Sequence, residues 1–166
     1  MNSIFNRRSI RKYTRQEIPE EKIDLLLRAA MAAPSAGNEQ PWHFVVIKNK
    51  DILYRIPKFH PYSHMLNYAD CAVVVCGDLA LETHKGFWVQ DCSAAAENIL
   101  IEATELGLGS VWVGVYPDMD RVTPLKTLLD LPENVIPLCI ISLGFTNETK
   151  GPVDRFNPTR IHHDKW

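Results

Sequence analysis

Arg7, Arg8 and Arg11 stand within the run Arg7-Arg8-Ser9-Ile10-Arg11 near the start of the chain. Three guanidiniums this close form an anion-receiving cluster, and each offers a planar fork of N–H donors to two phosphate oxygens at once. Further on lies the loop Ala33-Pro34-Ser35-Ala36-Gly37-Asn38-Glu39-Gln40-Pro41-Trp42. Its hydroxyl, amide oxygens and N–H groups are the inventory needed to read the edge of a planar heterocycle. Another arginine, Arg160, stands in the tail segment Asn157-Pro158-Thr159-Arg160-Ile161-His162, and a tail arginine that is held in place usually has an anion to meet. Phosphate at one end and a polar ring at the other describe a nucleotide-like cofactor. Plainer readings stand beside this one: an arginine run on a solvated face, a local Ser35 turn bond, Asn38 in a left-handed turn beside Gly37, and Trp42 as core.

Other catalytic arrangements are missing from the sequence. It carries no Ser-His-Asp or Cys-His pattern, no P-loop and no outstanding carboxylate pair. If the protein is an enzyme, a cofactor must do the hard chemistry while the protein binds and polarises it. Cys71, Cys76, Cys92 and Cys139 lie in apolar stretches without CxxC spacing, which reads as reduced, core-packed thiols. The pairs His60/His64 and His162/His163 lack metal-ligand context, so no metal site is expected. Gly107-Leu108-Gly109-Ser110-Val111-Trp112-Val113-Gly114 is not a dinucleotide fingerprint: the spacing is wrong, and a helix precedes the glycines where a strand should. Gly107 and Gly109 read instead as a helix stop and a tight turn, and Gly114 as a point where a ligand can approach the backbone.

The elements that must position these residues follow from periodicity. Pro19, Glu20 and Glu21 open a helix over residues 19–33, with Ile23, Leu26, Leu27 and Ala30 on one face and Pro34 ending it. Strands are expected at 43–48 and 71–76, the second an unbroken apolar run buried on both faces, with a short helix at 50–56 between them. Trp88, Cys92, Ala95, Ile99, Ala103 and Leu106 stripe a long helix over 88–106, central to the core or to a subunit interface. A strand at 110–114, a helix near 118–129 and a strand at 135–144 complete the pattern. The charged tail at 145–166 is reasonable as an arm wrapped on a partner. This order favours an α+β fold with a mixed, mostly antiparallel sheet flanked by helices.

The chain has 166 residues, 46% hydrophobic and 23% charged, the balance of one globular domain spanning 1–166. A formal net charge of −2 and a pI near 6.3 give no overall attraction to nucleic acid or to an anionic membrane, so the arginine cluster is a local device. No apolar run approaches the roughly 18–20 residues of a membrane span, and residues 1–14 are too polar for a signal peptide. The expected location is the cytoplasm.

Taken together, these segments resemble the FMN-dependent nitroreductase family over nearly the whole chain. Arg7 through Arg11 looks like its N-terminal phosphate motif, and Ala33-Pro34-Ser35 with Asn38 through Trp42 like its ring-edge loop. Asp91 through Gly114 is similar to its long interface helix and following strand, and Arg160-Ile161-His162 with Trp166 to its closing arm. The resemblance implies a homodimer with FMN at the subunit interface and a C-terminal arm extending onto the partner. Arg7, Arg8 and Arg160 would meet the phosphate, Ser9 the ribityl chain, and Arg11 the N1/O2 edge, where reduction places negative charge. Pro34, Ser35, Ala36, Asn38 and Gln40 belong to the loop that would come from the other subunit, and the backbone of Val113 and Gly114 would face N5. His64-Met65-Leu66-Asn67 is the nearest match to the polar residues that read the flavin pyrimidine. Only residues 78–86 stand where larger members carry a helical excursion over the site.

The implied reaction passes hydride from NADH or NADPH through flavin N5 to a nitroaromatic, quinone or similar small oxidised acceptor by a ping-pong mechanism, with no side-chain nucleophile. Two alternatives accompany it: a family member with a different flavin reaction (dehalogenation, ring dehydrogenation, flavin fragmentation), and a flavin-binding or electron-transfer module without nicotinamide turnover.

Overall fold

The structure is a computed structural model that describes residues 3–151 and 153–166. A short helix α1 (Ser3–Asn6) is tied to the far end of the long central helix by the Ser3 hydroxyl, which donates to Glu105. Helix α2 (Glu20–Met31) starts after Pro19, carries Glu20 and Glu21 in its first turn and Arg28 in its last, and buries Ile23, Leu26 and Ala30. These charges complement the helix dipole at both ends. Strand β1 (Trp42–Ile47) opens on the buried Trp42. Helix α3 (Lys50–Arg55) is capped by Asn49, which accepts from Asp51 N at 2.9 Å. Strand β2 (Cys71–Asp78), helix α4 (Trp88–Glu105), strand β3 (Gly109–Gly114), helix α5 (Met119–Leu128) and strand β4 (Val135–Gly144) follow.

The strands form one sheet in the order β1-β2-β4-β3, each neighbouring pair antiparallel. The expected mixed character thus reduces to a single parallel bridge between Ser9 and Ser110, where Ile10 N–H donates to Ser110 O at 2.9 Å.

The sheet is covered on both sides, and its central strands alternate between the two layers. Cys71, Val73 and Val75 of β2, with Cys139, Ile141 and Leu143 of β4, pack with α2 and α4. Ala72, Val74 and Cys76, with Ile140, pack with α3, α5 and the 3₁₀ turn His64–Asn67. Period-two alternation with both faces buried explains why these strands read as continuous apolar runs. All four cysteines are free and buried, and burial pushes the Cys71, Cys76 and Cys92 thiols up to about 12. They are packing residues.

Gly107, at φ +73°, ends α4 as expected. Gly109 differs from its expected tight turn, because it lies within β3 and a Cβ there would come 2.6 Å from Ile10 Cγ2. Its bare backbone is what lets the N-terminal segment lie against the edge of β3. After Gly144 the chain leaves the sheet. Residues 153–166 are exposed, with one 3₁₀ turn at Pro158–Arg160 and His162 stacked on Trp166 at 4.2 Å between ring centroids. Among the described residues no helix is long and apolar enough to cross a membrane.

Two substitutions should separate core from edge. Leu26→Ala, at a fully buried position, should cost about 2–5 kcal/mol in urea unfolding. Gly109→Ala should cost about 1–3 kcal/mol by overpacking and, unlike Leu26→Ala, should selectively accelerate amide exchange at Ile10.

Candidate active site

Strand β3 is an edge strand, and its outer edge is closed only at the ends. Val115 N–H donates to Leu138 O on the β4 side. By antiparallel alternation, Val113 and Val111 also direct their backbone groups to β4, while those of Ser110, Trp112 and Gly114 point outward. At the near end Ser110 is paired with Ile10. At the far end the Gly114 carbonyl accepts from His60 Nε2 at 2.7 Å and from an Arg121 guanidinium N–H at 3.2 Å. Between these closures the N–H groups of Trp112 and Gly114 are directed into a cleft of about 510 Å³.

Arg11 borders this cleft, together with Tyr62, His64, Tyr68 and Trp112. The backbone of Arg11 is fixed from behind: its N–H and that of Lys12 both donate to Glu148 Oε2, at 3.0 and 3.2 Å. The backbone bond from Arg11 is the main reason that the Glu148 carboxyl sits below its ordinary range. Arg121 is held by Asp118 at 2.9 Å and lies 5.3 Å from the Tyr62 ring centroid. His60 is fully buried, and because a carbonyl only accepts, its Nε2 must carry the proton. Its Nδ1 then accepts from Tyr62 N at 3.3 Å, which a neutral ring allows. Burial pushes its pKa down, in keeping with that assignment.

The cleft therefore presents two arginines, Arg11 and the Asp118-paired Arg121, two directed backbone donors and aromatic walls. Such a set receives a planar ring, donates hydrogen bonds to its edge and stabilises negative charge developing on it. The FMN implied by the resemblance fits this chemistry.

The other residues singled out in the sequence fall in four places. Arg7 and Arg8 border a separate recess of about 310 Å³ with Arg155 and Phe156. Arg7 pairs with Glu97 at 3.6 Å, while the Arg8 guanidinium donates to the carbonyls of Phe5, Arg7 and Gly151. Ser9 forms the bridge to Ser110, and its carbonyl accepts from Lys150. Pro34, Ser35, Ala36, Asn38 and Gln40 belong to a tight loop that does not border the cleft. Gln40 N–H donates to Ser35 Oγ at 3.0 Å, the Gln40 amide donates to Asn38 Oδ1 at 2.9 Å, and Gly37, Asn38 and Gln40 all have positive φ. Ala36 N–H donates to Asp91 of α4 at 3.0 Å. Arg160 lies in the exposed 3₁₀ turn of the tail.

One chain thus brings Arg11, Val113 and Gly114 to the cleft, but not the loop or Arg160; because the Val113 backbone turns to β4, the backbone approach expected of Val113 and Gly114 falls to Trp112 and Gly114. His64 and Asn67 part company: His64 borders the cleft, whereas Asn67 faces a neighbouring cavity of about 430 Å³, with Tyr68 bordering both. The sequence reading missed Arg121, Tyr62, Tyr68 and Glu148, and noted His60 only as half of a weak histidine pair. Asp118 at i−3 from Arg121 was the one local signal available.

A profile of the Nitroreductase family matches residues 4–61 and 60–145. The chain is 52% identical over its full length to a Methanothermobacter thermautotrophicus protein assigned as an NADH dehydrogenase/NAD(P)H nitroreductase, covering 87% of it. A solved structure from Clostridium acetobutylicum, assigned as an NADH oxidase, matches at TM-score 0.95 with 44% identity and 99% of each chain covered. An FMN-dependent nitroreductase of Clostridium difficile R20291 matches at TM-score 0.92 with 30% identity, again over 99% of each chain. On this family match and this full-length identity, the chain belongs to the nitroreductase family.

Proposed function

We propose that the protein is an FMN-dependent NAD(P)H oxidoreductase that acts on a small oxidised acceptor, such as a nitroaromatic or a quinone, by a ping-pong mechanism. The observation that carries this reading is the cleft itself, where Arg11 and the outward N–H groups of Trp112 and Gly114 border one space. FMN, when bound, would supply the two-electron redox chemistry, so no side-chain nucleophile would be needed.

The chain's own groups then divide the work. The Gly114 and Trp112 N–H groups address one edge of the ring. The Arg11 cation would lie at the N1/O2 edge, where its charge would favour an anionic ring over a neutral one. His60 and Arg121 hold the Gly114 carbonyl so that this end of the edge keeps its aim. Arg7 and Arg8 take the phosphate and Ser9 the ribityl chain. The aromatic rim of Tyr62 and Tyr68 leaves one face open to donor and acceptor in turn. Ser35, Asn38 and Arg160 complete the site from a second copy, in a homodimer whose arm crosses to its neighbour. In support, none of the three borders the cleft of its own chain, and the tail carries exposed Phe156, Ile161 and Trp166, apolar groups that ordinarily find cover. We read residues 1–166 as one FMN-binding domain, and its reduced thiols suit the cytoplasm.

Protein supplied with FMN and desalted should retain a flavin absorption band that bleaches on anaerobic titration with NADH or NADPH. Failure to retain flavin, even when it is supplied in excess, overturns the reading, and a retained band that neither nicotinamide bleaches would favour a binding module. Arg160→Ala should weaken FMN binding about 10–100-fold, the worth of one charge-assisted bond, and unchanged affinity would remove the arm from the site. Arg11→Gln should make the midpoint potential of bound flavin more negative by about 30–60 mV.

A further inference from the structure

Glu39 and Asp91 meet in the wall behind the Ser35–Gln40 loop, and each has one oxygen without a donor: Glu39 Oε1 and Asp91 Oδ2, both buried. Their other oxygens are well served. Glu39 Oε2 accepts from Thr83 N at 2.7 Å, Thr83 Oγ1 at 2.6 Å and His84 N at 2.9 Å. Asp91 Oδ1 accepts from Ala36 N at 3.0 Å. Two ionised carboxylates hold only acceptors, so the two remaining oxygens cannot satisfy one another unless a proton lies between them.

We propose that Asp91 is held in its protonated form and donates from Oδ2 to ionised Glu39 Oε1, and that this shared proton locks the Ser35–Gln40 loop onto the start of α4. The donor count decides which partner carries the proton. Three donors converge on Glu39 and keep it anionic, with its carboxyl lowered to about 2, the Thr83 hydroxyl bond being the largest cause. Asp91 has a single backbone donor and is buried, and desolvation raises its carboxyl, with the Glu39 charge adding to the effect. The α4 N-terminus favours an anion at Asp91, but burial and the facing charge outweigh it.

The surrounding titratable groups offer no other resolution. Glu82 is engaged by Gly86 N at 2.5 Å and Trp88 N at 3.3 Å. The His84 ring packs over Gly37, where a Cβ would stand 2.5 Å from its Nε2. Cys92, next along α4, gives its thiol proton to Cys76 O at 3.4 Å. The carboxyl–carboxylate bond joins Glu39 to α4, and with the Ala36 bond it clamps the loop at both ends. That the loop serves the cofactor rests on the function proposed above; the shared proton does not.

Because the Asp91 carboxyl is raised by folding, its stabilising contribution is complete below the ordinary aspartate range and is lost as pH rises through the raised value. Asp91→Asn mimics the protonated form: its oxygen keeps the Ala36 bond and its amide donates to Glu39. The test compares melting temperatures of wild type and Asp91→Asn from pH 5 to 9, with and without FMN, alongside infrared spectra over the same pH range, the carboxylic-acid band being read at its acid end. The Tm gap should widen in favour of the variant by about 2–4 °C as pH rises, and the wild-type C=O stretch of a protonated carboxylic acid should vanish in Asp91→Asn. A Tm gap constant with pH, or no carboxylic band lost, would overturn the proposal. Should Asp91→Asn not fold, Glu39→Gln gives the same reading, since Asp91 opposite a neutral amide ionises and the band disappears. FMN affinity should fall less at alkaline pH in Asp91→Asn than in wild type, and an equal fall would detach the pair from the cofactor site. Loss of the infrared band in protein that binds no flavin would leave the shared proton standing and remove only its cofactor role.

Discussion

An exposed strand edge must be covered or used, and in this protein the edge of β3 is treated both ways. Ile10 closes it at Ser110, and His60 with Arg121 close it at Gly114. The stretch between is where backbone donors face open space, and the cleft is that stretch. The same pairing that closes the near end delivers Arg11 to the cleft, one residue beyond Ile10. Gly109 permits the approach and Glu148 fixes its continuation, so position and charge at the site have a common origin in strand pairing.

The edge is dependable because the strands behind it cannot shift. β2 and β4 bury both faces, and a slip of one residue would exchange the Val73 and Val75 set for the Ala72 and Val74 set in every layer at once. The sheet is therefore a rigid backing for what lies along β3. The buried thiols of Cys71, Cys76, Cys92 and Cys139 belong to that backing, as does the anchoring of α2 against α4 through Asn98, whose amide donates to Ala29 O at 2.9 Å.

Much of this was legible in the sequence, and the limits are physical. Every long element was visible to within a residue or two, because Pro19, Pro34, Gly107 and the apolar periodicities are local signals. Arg11 and Gly114 were legible as well, the one by its place in a charged run and the other as a glycine just past a strand. His60, Arg121 and Glu148 were not, since each acquires its role from a partner distant in sequence: His60 from Gly114, and Glu148 from Arg11. Gly109 was misread for the same reason. A glycine crowded by Ile10 has no signature distinguishing it from a glycine in a turn. Glu39 and Asp91 are unremarkable acids until the fold sets them face to face.

The bond from Arg11 N–H to Glu148 spans 137 residues of sequence. During synthesis the arginine segment is made before its edge partner Ser110, and its backing carboxylate Glu148 comes later still. Helices α2 and α3 can form as they emerge, but the Arg11 segment has to wait until Glu148 is made. The charge of the cleft is therefore set by contacts between segments made far apart in time.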